Sequence, residues 1–405
     1  MSAPSPSPAA MIPAHVPPDL VYDYDYLGDP LTAVDIHEGM LELLRNAPPI
    51  FYTPRNGGHW VVTGFSEISD LMRDTARISS KKMELRADSN DSSGVRMVPI
   101  MVDPPEHADY RLVLNKMFAP RPMVAMEGEV RALAAELIDK VVADGHCDFV
   151  AAVGEPLPVF VFMKLLGLPT ERYHEFRDWV VGSLMTPSQN VHIEIMQKVA
   201  AMFGEQITLR AAEPREDVLT ILMGAKIGDR DIRPDELMSY CLMLFVAGLD
   251  TVVNGMAFAV RHLAIDQQLQ AELRTNPGLI PNAVEEILRR YTFTSPPRVV
   301  AETFDYDGVP FKEGDGVLML LPAADLDERA FEAPTTIDLS RRSPHVAFGI
   351  GPHRCVGSHL ARVELRVMYE EWLSRIPAFR LDPADPPRFH TAMVMGVERL
   401  PLRWD

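Results

Sequence analysis

The segment Phe348-Gly349-Ile350-Gly351-Pro352-His353-Arg354-Cys355-Val356-Gly357 gathers the residue types that can make a metal-binding thiolate, and SHLARVELRVMYEEWL follows it. A thiolate on the iron of a haem must be deprotonated, shielded from water and able to come close to the ring plane. Cys355 sits just before an amphipathic helical pattern, whose N-terminal dipole and free N–H groups favour a negative sulfur. Gly349 and Gly351 permit backbone turns closed to other residues, so that N–H groups can aim at the sulfur. Gly357 leaves room for a flat ring against the helix, and Phe348 would shield the sulfur. The competing reading is a buried free cysteine beside an ordinary glycine turn. The order Phe, two Gly, His, Cys, Gly favours the ligand. A zinc site fails for want of partner ligands, since no C-x-x-C pair occurs.

Four other groupings carry candidate chemistry. Ala247-Gly248-Leu249-Asp250-Thr251 lies inside a long apolar stretch. A buried aspartate there is costly without a purpose. Read as chemistry, Asp250 and Thr251 are an acid–alcohol pair. Thr251 would hydrogen-bond dioxygen and water, Asp250 would relay protons, and Gly248 would let both oxygen and substrate near the helix backbone. Read as structure, the threonine back-bonds to its own helix and an arginine caps the aspartate. Glu286 and Arg289 are three apart on one helical face, which alone is a surface pair worth about 0.3 kcal/mol. Asp103-Pro104-Pro105-Glu106-His107-Ala108-Asp109-Tyr110-Arg111 opens a helix. Proline suits that start, and His107 and Arg111, four apart, share a face. Arg298 follows Pro296-Pro297 in the loop after the Glu286 helix.

In this order the motifs resemble those of the cytochromes P-450, over nearly the whole chain beyond residue 20. The resemblance implies haem b (iron protoporphyrin IX) with Cys355 as the axial ligand of its iron. It implies that His107, Arg111, Arg298 and His353 serve the two haem propionates, which need cationic donors. Asp250 and Thr251 become the catalytic pair, and Glu286, Arg289 and Arg341 a structural network. The activity implied is monooxygenation by dioxygen, with two protons delivered to it while the thiolate donates electron density. No flavin or NAD domain is evident in the sequence. Electrons are therefore expected from an iron–sulfur ferredoxin served by its NAD(P)H-dependent reductase. The side around Cys355 collects Arg111, Lys116, Arg354, Arg362 and Arg366 as a docking face for an acidic ferredoxin.

The segments GLDTVVN, LDER, HLAR, EWLSRIP and LPLRWD are similar to the camphor-hydroxylase branch, whose members are soluble and act on compact terpenoids. Two departures matter. A tyrosine of that branch donates a hydrogen bond to the substrate ketone, and the ungapped match puts Val95 there, which cannot donate. Pro296 replaces an acidic residue. The implied pocket is Val95, Met97, Ile100, Met243, Val246, Thr294 and Val394, an apolar wall softened by methionine. Plain core packing is the competing reading of each. The expected substrate is a small apolar terpenoid or norisoprenoid, ionone-like rather than camphor. The alternatives are a camphor-type ketone hydroxylase, a peroxide-driven peroxygenase and a non-enzymatic thiolate-haem sensor. The Asp250–Thr251 pair speaks against the peroxygenase. The want of an effector such as a basic recognition helix speaks against the sensor.

These residues need a scaffold, and the pattern predicts a mainly α fold with small β-sheets. VRALAAELIDKVVADG and LIPNAVEEILRRY have apolar spacings of three and four. GGHWVVTGF reads as strand and turn, and SEISDLMRD as a helix capped by Ser66. FDYDGVPFKEGDGVLML reads as two short strands around turns. The run from 237 to 264 is apolar but broken by Asp250, Asn254 and Arg261, so it predicts a buried helix rather than a membrane span. Residues 1–20 are rich in Pro, Ala and Ser without a signal-peptide pattern, and read as a mobile or surface-laid tail before one domain over 21–405. The chain has 405 residues, 47% of them hydrophobic, and a formal charge of −18 from 57 acids against 39 Lys and Arg. That charge makes nucleic acid and anionic membranes poor partners. Three cysteines in such a length argue against a disulfide framework and fit the cytoplasm. A monomer is the expected state.

Overall fold

Apolar residues recur at helical spacing in one set of segments and alternate in another, and each set closes a core of its own. The computed structural model describes residues 7, 9–32, 35–82, 85, 96–185, 189–248 and 250–405. The chain divides into two compact units. The first comprises 1–92, 257–355 and 378–405, and the second 93–256 and 356–377.

The elements that matter for the site are, in chain order, helices α1 (Ile36–Asn46), α2 (Glu106–Met117), α3 (Glu127–Asp139), α4 (Pro234–Gly248), α5 (Asp250–Ile265), α6 (Ile280–Arg290) and α7 (Ser358–Arg375). The strands are β1 (Ile50–Thr53), β2 (His59–Val62), β3 (Ile78–Ser79), β4 (Pro297–Val300) and β5 (Gly316–Met319).

In the first unit these strands form a sheet in the order β1-β2-β5-β4-β3. β5 runs parallel to β2, with Val317 opposite Trp60, and antiparallel to β4, with Val317 opposite Arg298. Trp60, Val62, Val317 and Met319 fill the core beneath it. α1 starts because the Asp35 side chain accepts from the His37 and Glu38 N–H groups, leaving fewer orphan donors. The helix containing Ser66 is Phe65–Leu71 and its N-cap is Gly64, without a side-chain bond. The cap assignment to Ser66 therefore fails: Phe65 already has helical geometry, which puts the serine inside the first turn. FDYDGVPFKEGDGVLML yields three strands rather than two, since Phe304–Tyr306 and Val309–Phe311 pair across a turn at Asp307-Gly308 before β5. Near the N-terminus, the Ala10 N–H donates to the Pro54 carbonyl at 2.7 Å and Val16 is buried, so residues 9–20 lie along this unit.

The second unit is helical. Tyr110 and Leu114 of α2, Tyr240, Cys241 and Phe245 of α4, and Phe176 and Phe203 of two intervening helices share one core. α3 and α7 are joined by ion pairs: Arg131 meets Glu127, Glu370 and Glu371, and Arg366 meets Glu127 and Glu370. The helical run Pro234–Ile265 is long and apolar enough to cross a membrane by length and composition, and 65% of its most apolar window is buried. The fold is mainly α with several small sheets.

Candidate active site

The cysteine loop belongs to the first unit and is set by its backbone. The Cys355 N–H donates to the Phe348 carbonyl at 2.8 Å, the Arg354 N–H to Gly351 at 3.1 Å, and the Gly349 N–H to Val346 at 2.7 Å. Gly349 and Gly351 have φ of 67° and 74°, the left-handed region that suits glycine. A Cβ on Gly351 would lie 2.7 Å from the Met72 carbonyl oxygen, so the position excludes a side chain twice over. Gly357 caps α7 without a side-chain bond, which leaves the helix's first N–H groups and its positive end close in sequence to Cys355.

The three cysteines differ. Burial pushes the thiols of Cys147 and Cys241 up to about 12, so neither offers a thiolate at neutral pH. Cys355 alone is exposed among them.

Behind the loop, Arg289 is fully buried and holds Glu286 by two bonds of 2.8 and 2.9 Å. Arg341 donates to the same Glu286 at 2.8 Å. The network expected of Glu286, Arg289 and Arg341 thus exists, and it is interior rather than a surface pair. It also recruits a residue that sequence reasoning missed. Arg289 donates to the Asp325 carbonyl at 2.7 Å, while the Asp325 carboxyl accepts from the Val346 N–H at 2.9 Å and from the Thr292 hydroxyl at 2.6 Å. Asp325 therefore links the arginine network to the start of the cysteine loop. Burial raises its carboxyl to about 6 against those favourable partners. Its only sequence signal was an aspartate closing the apolar run LLPAA.

Arg298 lies on β4, is 8% exposed, and donates to its neighbour Pro297's carbonyl at 2.7 Å. Thr294 and Val394 are brought together as an antiparallel bridge, flanked by bonds from the Ser295 N–H to Met393 (2.7 Å) and from the Met395 N–H to Phe293 (2.8 Å). His353 is half-buried within the loop.

In the second unit, α2 carries His107, buried, and Arg111, half-buried, on one face. Burial and then the Arg111 charge lower the imidazole's pKa. Arg111 also donates to Asn115 at 2.9 Å. Met97, Ile100 and Val246 are half-buried and pack against the core to which Met243 belongs. Val95 lies outside the described residues.

Within the helical run Pro234–Ile265, the Thr251 hydroxyl donates to the Ala247 carbonyl at 3.1 Å, the back-bonded arrangement. The Asp250 carboxylate accepts from Asn254 at 3.0 Å, where the structural reading expected an arginine. Desolvation raises the Asp250 carboxyl to about 6; Asn254 opposes this and the Glu155 charge adds to it. A Cβ on Gly248 would sit 3.0 Å from the Phe162 ring, so the missing side chain makes room for a packed aromatic.

The family model of cytochrome P450 matches residues 278–400, which span the arginine network and the cysteine loop. A probable cytochrome P450 127A1 of Sinorhizobium fredii is 34% identical over 403 residues, covering 97% of each chain. The chain belongs to the cytochrome P450 family. Nocardicin C N-oxygenase of Nocardia uniformis is 32% identical over 93% of this chain and 97% of its own. Crystal structures of CYP101J2 and CYP101C1 each superpose with a TM-score of 0.91 at 32% identity, over 98% of this chain and all of theirs. The expected likeness to the camphor-hydroxylase branch is met by these two neighbours.

Cytochromes P450 are monooxygenases that bind haem b through a cysteine thiolate. The residues present fit that group. One exposed cysteine stands in a glycine-shaped loop before a helix N-terminus, and the other two are held as neutral thiols. Among the described residues no cluster of three His, Cys, Asp or Glu offers a rival metal site.

Proposed function

We propose that this P450 hydroxylates small apolar terpenoids or norisoprenoids, ionone-like in shape, with dioxygen and electrons from an iron–sulfur ferredoxin and its reductase. Bound through Cys355, haem b supplies the iron at which dioxygen is activated. His107, Arg111, Arg298 and His353 would hold its propionates.

The observation that carries the substrate reading is the wall of the second unit. Met97, Ile100, Met243 and Val246 bring four apolar side chains into one cluster. In the first unit, Thr294 and Val394 pair as an antiparallel bridge that brings one hydroxyl and one apolar side chain together. Methionine's flexible thioether adapts to ligands that rigid branched residues reject.

Proton delivery falls to the Asp250–Thr251 pair. A carboxyl near 6 can both hold and release a proton close to neutral pH, as an acid–base relay requires. Thr251 donates to Ala247 and so keeps its oxygen lone pairs for a proton-bearing partner. This favours a monooxygenase over a peroxide-driven enzyme or a sensor.

Reductant docking is proposed for the second unit's cations. Arg111, Lys116 and Arg362 carry this part, while Arg366 is engaged by Glu127 and Glu370 and contributes less. Charge reversal in Arg111→Glu should slow reduction by ferredoxin and flatten its salt dependence. An unchanged rate rejects this face.

The test of the substrate is a spin-state titration of the ferric protein with β-ionone and, separately, with camphor. A large Soret shift with β-ionone and a small one with camphor supports the reading. A strong camphor shift returns the enzyme to the camphor type.

A further inference from the structure

Ser239 sits in the middle of α4, where a serine commonly bonds to the carbonyl four residues back. It does not do so here. Its hydroxyl accepts from the Val98 N–H at 2.8 Å and donates to the Arg96 carbonyl at 2.6 Å. One side chain therefore grips the backbone on both sides of Met97. The contact is dry: Ser239 is 4% exposed and Val98 3%. A buried hydroxyl that bridges a donor and an acceptor two residues apart fixes both the position and the direction of the residue between them.

The helix that supplies this grip also carries the pocket candidates. Ser239, Met243 and Val246 are spaced at i, i+4 and i+7, which places them on one face of α4. The same end of α4 is anchored to α2. The Tyr110 hydroxyl donates to Glu236 at 2.7 Å, and the Tyr240 hydroxyl donates to the Tyr110 carbonyl at 2.8 Å. The segment's first residue is fastened to α2 as well, since Arg96 makes a two-bond ion pair with Glu106 at 2.7 and 3.2 Å. The Arg96–Glu106 pair is half-exposed and adds little by itself. The buried serine defines the register.

We infer that Ser239 is a specificity-determining positioning residue, whose hydroxyl sets where Met97 stands relative to the Met243–Val246 face of α4. This rests on the reading above that Met97 and Met243 face the substrate. Ser239 touches no reacting atom; it acts through Met97.

The test uses the haem-loaded enzyme with β-ionone as the probe. Ser239→Ala, Ser239→Thr and Met97→Ala are compared with the parent for the dissociation constant from the spin shift, the ratio of product isomers and the product formed per reductant consumed. The Ala variant should bind on the order of tenfold more weakly, spread its products over more positions and waste reductant. The Thr variant, which keeps the hydroxyl, should restore all three. A merely structural serine would lower the melting temperature and leave the isomer ratio unmoved, and that result overturns the inference while Met97→Ala still alters the ratio. If Met97→Ala also changes nothing, the pocket reading fails and the inference falls with it. Should Ser239→Ala not accumulate with haem, Ser239→Cys, similar in shape but a weaker hydrogen bonder, is read in the same way.

Discussion

The cysteine loop and the Asp250–Thr251 pair are held by different means. The loop is fixed by backbone: three N–H···O bonds between loop residues, two left-handed glycines and a carbonyl pressed against Gly351. The pair depends on side chains, with the Thr251 hydroxyl on Ala247 and the Asp250 carboxylate on Asn254. A ligand loop must keep one geometry through every turnover, and backbone constraint provides that. A proton relay must change partners and protonation, which a backbone cannot do. Substitutions in the first should therefore damage assembly, and substitutions in the second should damage turnover.

The largest effect is expected at Gly351. Gly351→Ala forces a side chain into the left-handed region and onto the Met72 carbonyl at once. A loss of about 3 kcal/mol in stability, with most of the protein recovered without haem, is the expected outcome. Haem content by absorbance and thermal melting measure it. An alanine variant with full haem content and an unchanged melting temperature would show that the loop is not backbone-limited.

At Asp250 and Thr251 the expected losses are kinetic. Asp250→Asn removes a carboxyl that titrates near 6, and turnover should fall about a hundredfold with haem content intact. The limb of the pH–rate profile near 6 should vanish with it, because the amide has no proton to lose. Thr251→Ala should keep reductant consumption and lower product per reductant by about tenfold. A peroxide-driven enzyme would barely respond, so an unchanged yield from Thr251→Ala would break the contrast between the two regions.

The sequence was most informative where chemistry needs a fixed spacing along the chain. The cysteine loop, the Glu286–Arg289 pair and the α4–α5 run could be read because their residues are neighbours. Arg341 came from the family likeness rather than from spacing, and the structure places it on Glu286. Asp325 was out of reach because its partners Arg289, Thr292 and Val346 lie 36, 33 and 21 positions away, and no local pattern marks such a contact. Ser239 was missed for the same reason, its partners being more than a hundred positions distant. The Phe162 ring beside Gly248 was out of reach too, because it comes from another helix. The family likeness named the cofactor and the residues expected to hold it.

The smallest effect sharpens the comparison from the other side. Glu364 lies on α7, nine residues past Cys355, yet it resembles Asp250 more than the loop: burial alone pushes its carboxyl from 4.5 up to about 8. Between those two pH values the unfolded chain has released this proton and the folded chain has kept it. Stability therefore falls as pH rises through that window and levels off above 8. Glu364→Gln removes the cost of keeping an acid neutral. At pH 7 it should stabilise the protein by about 1–2 kcal/mol, after allowing for a buried amide that must find partners. The gain should shrink toward pH 4.5, where the acid is protonated in both states. Melting temperatures of the two proteins across pH 4.5–8 decide this. Parallel curves would mean that Glu364 is ionised in place.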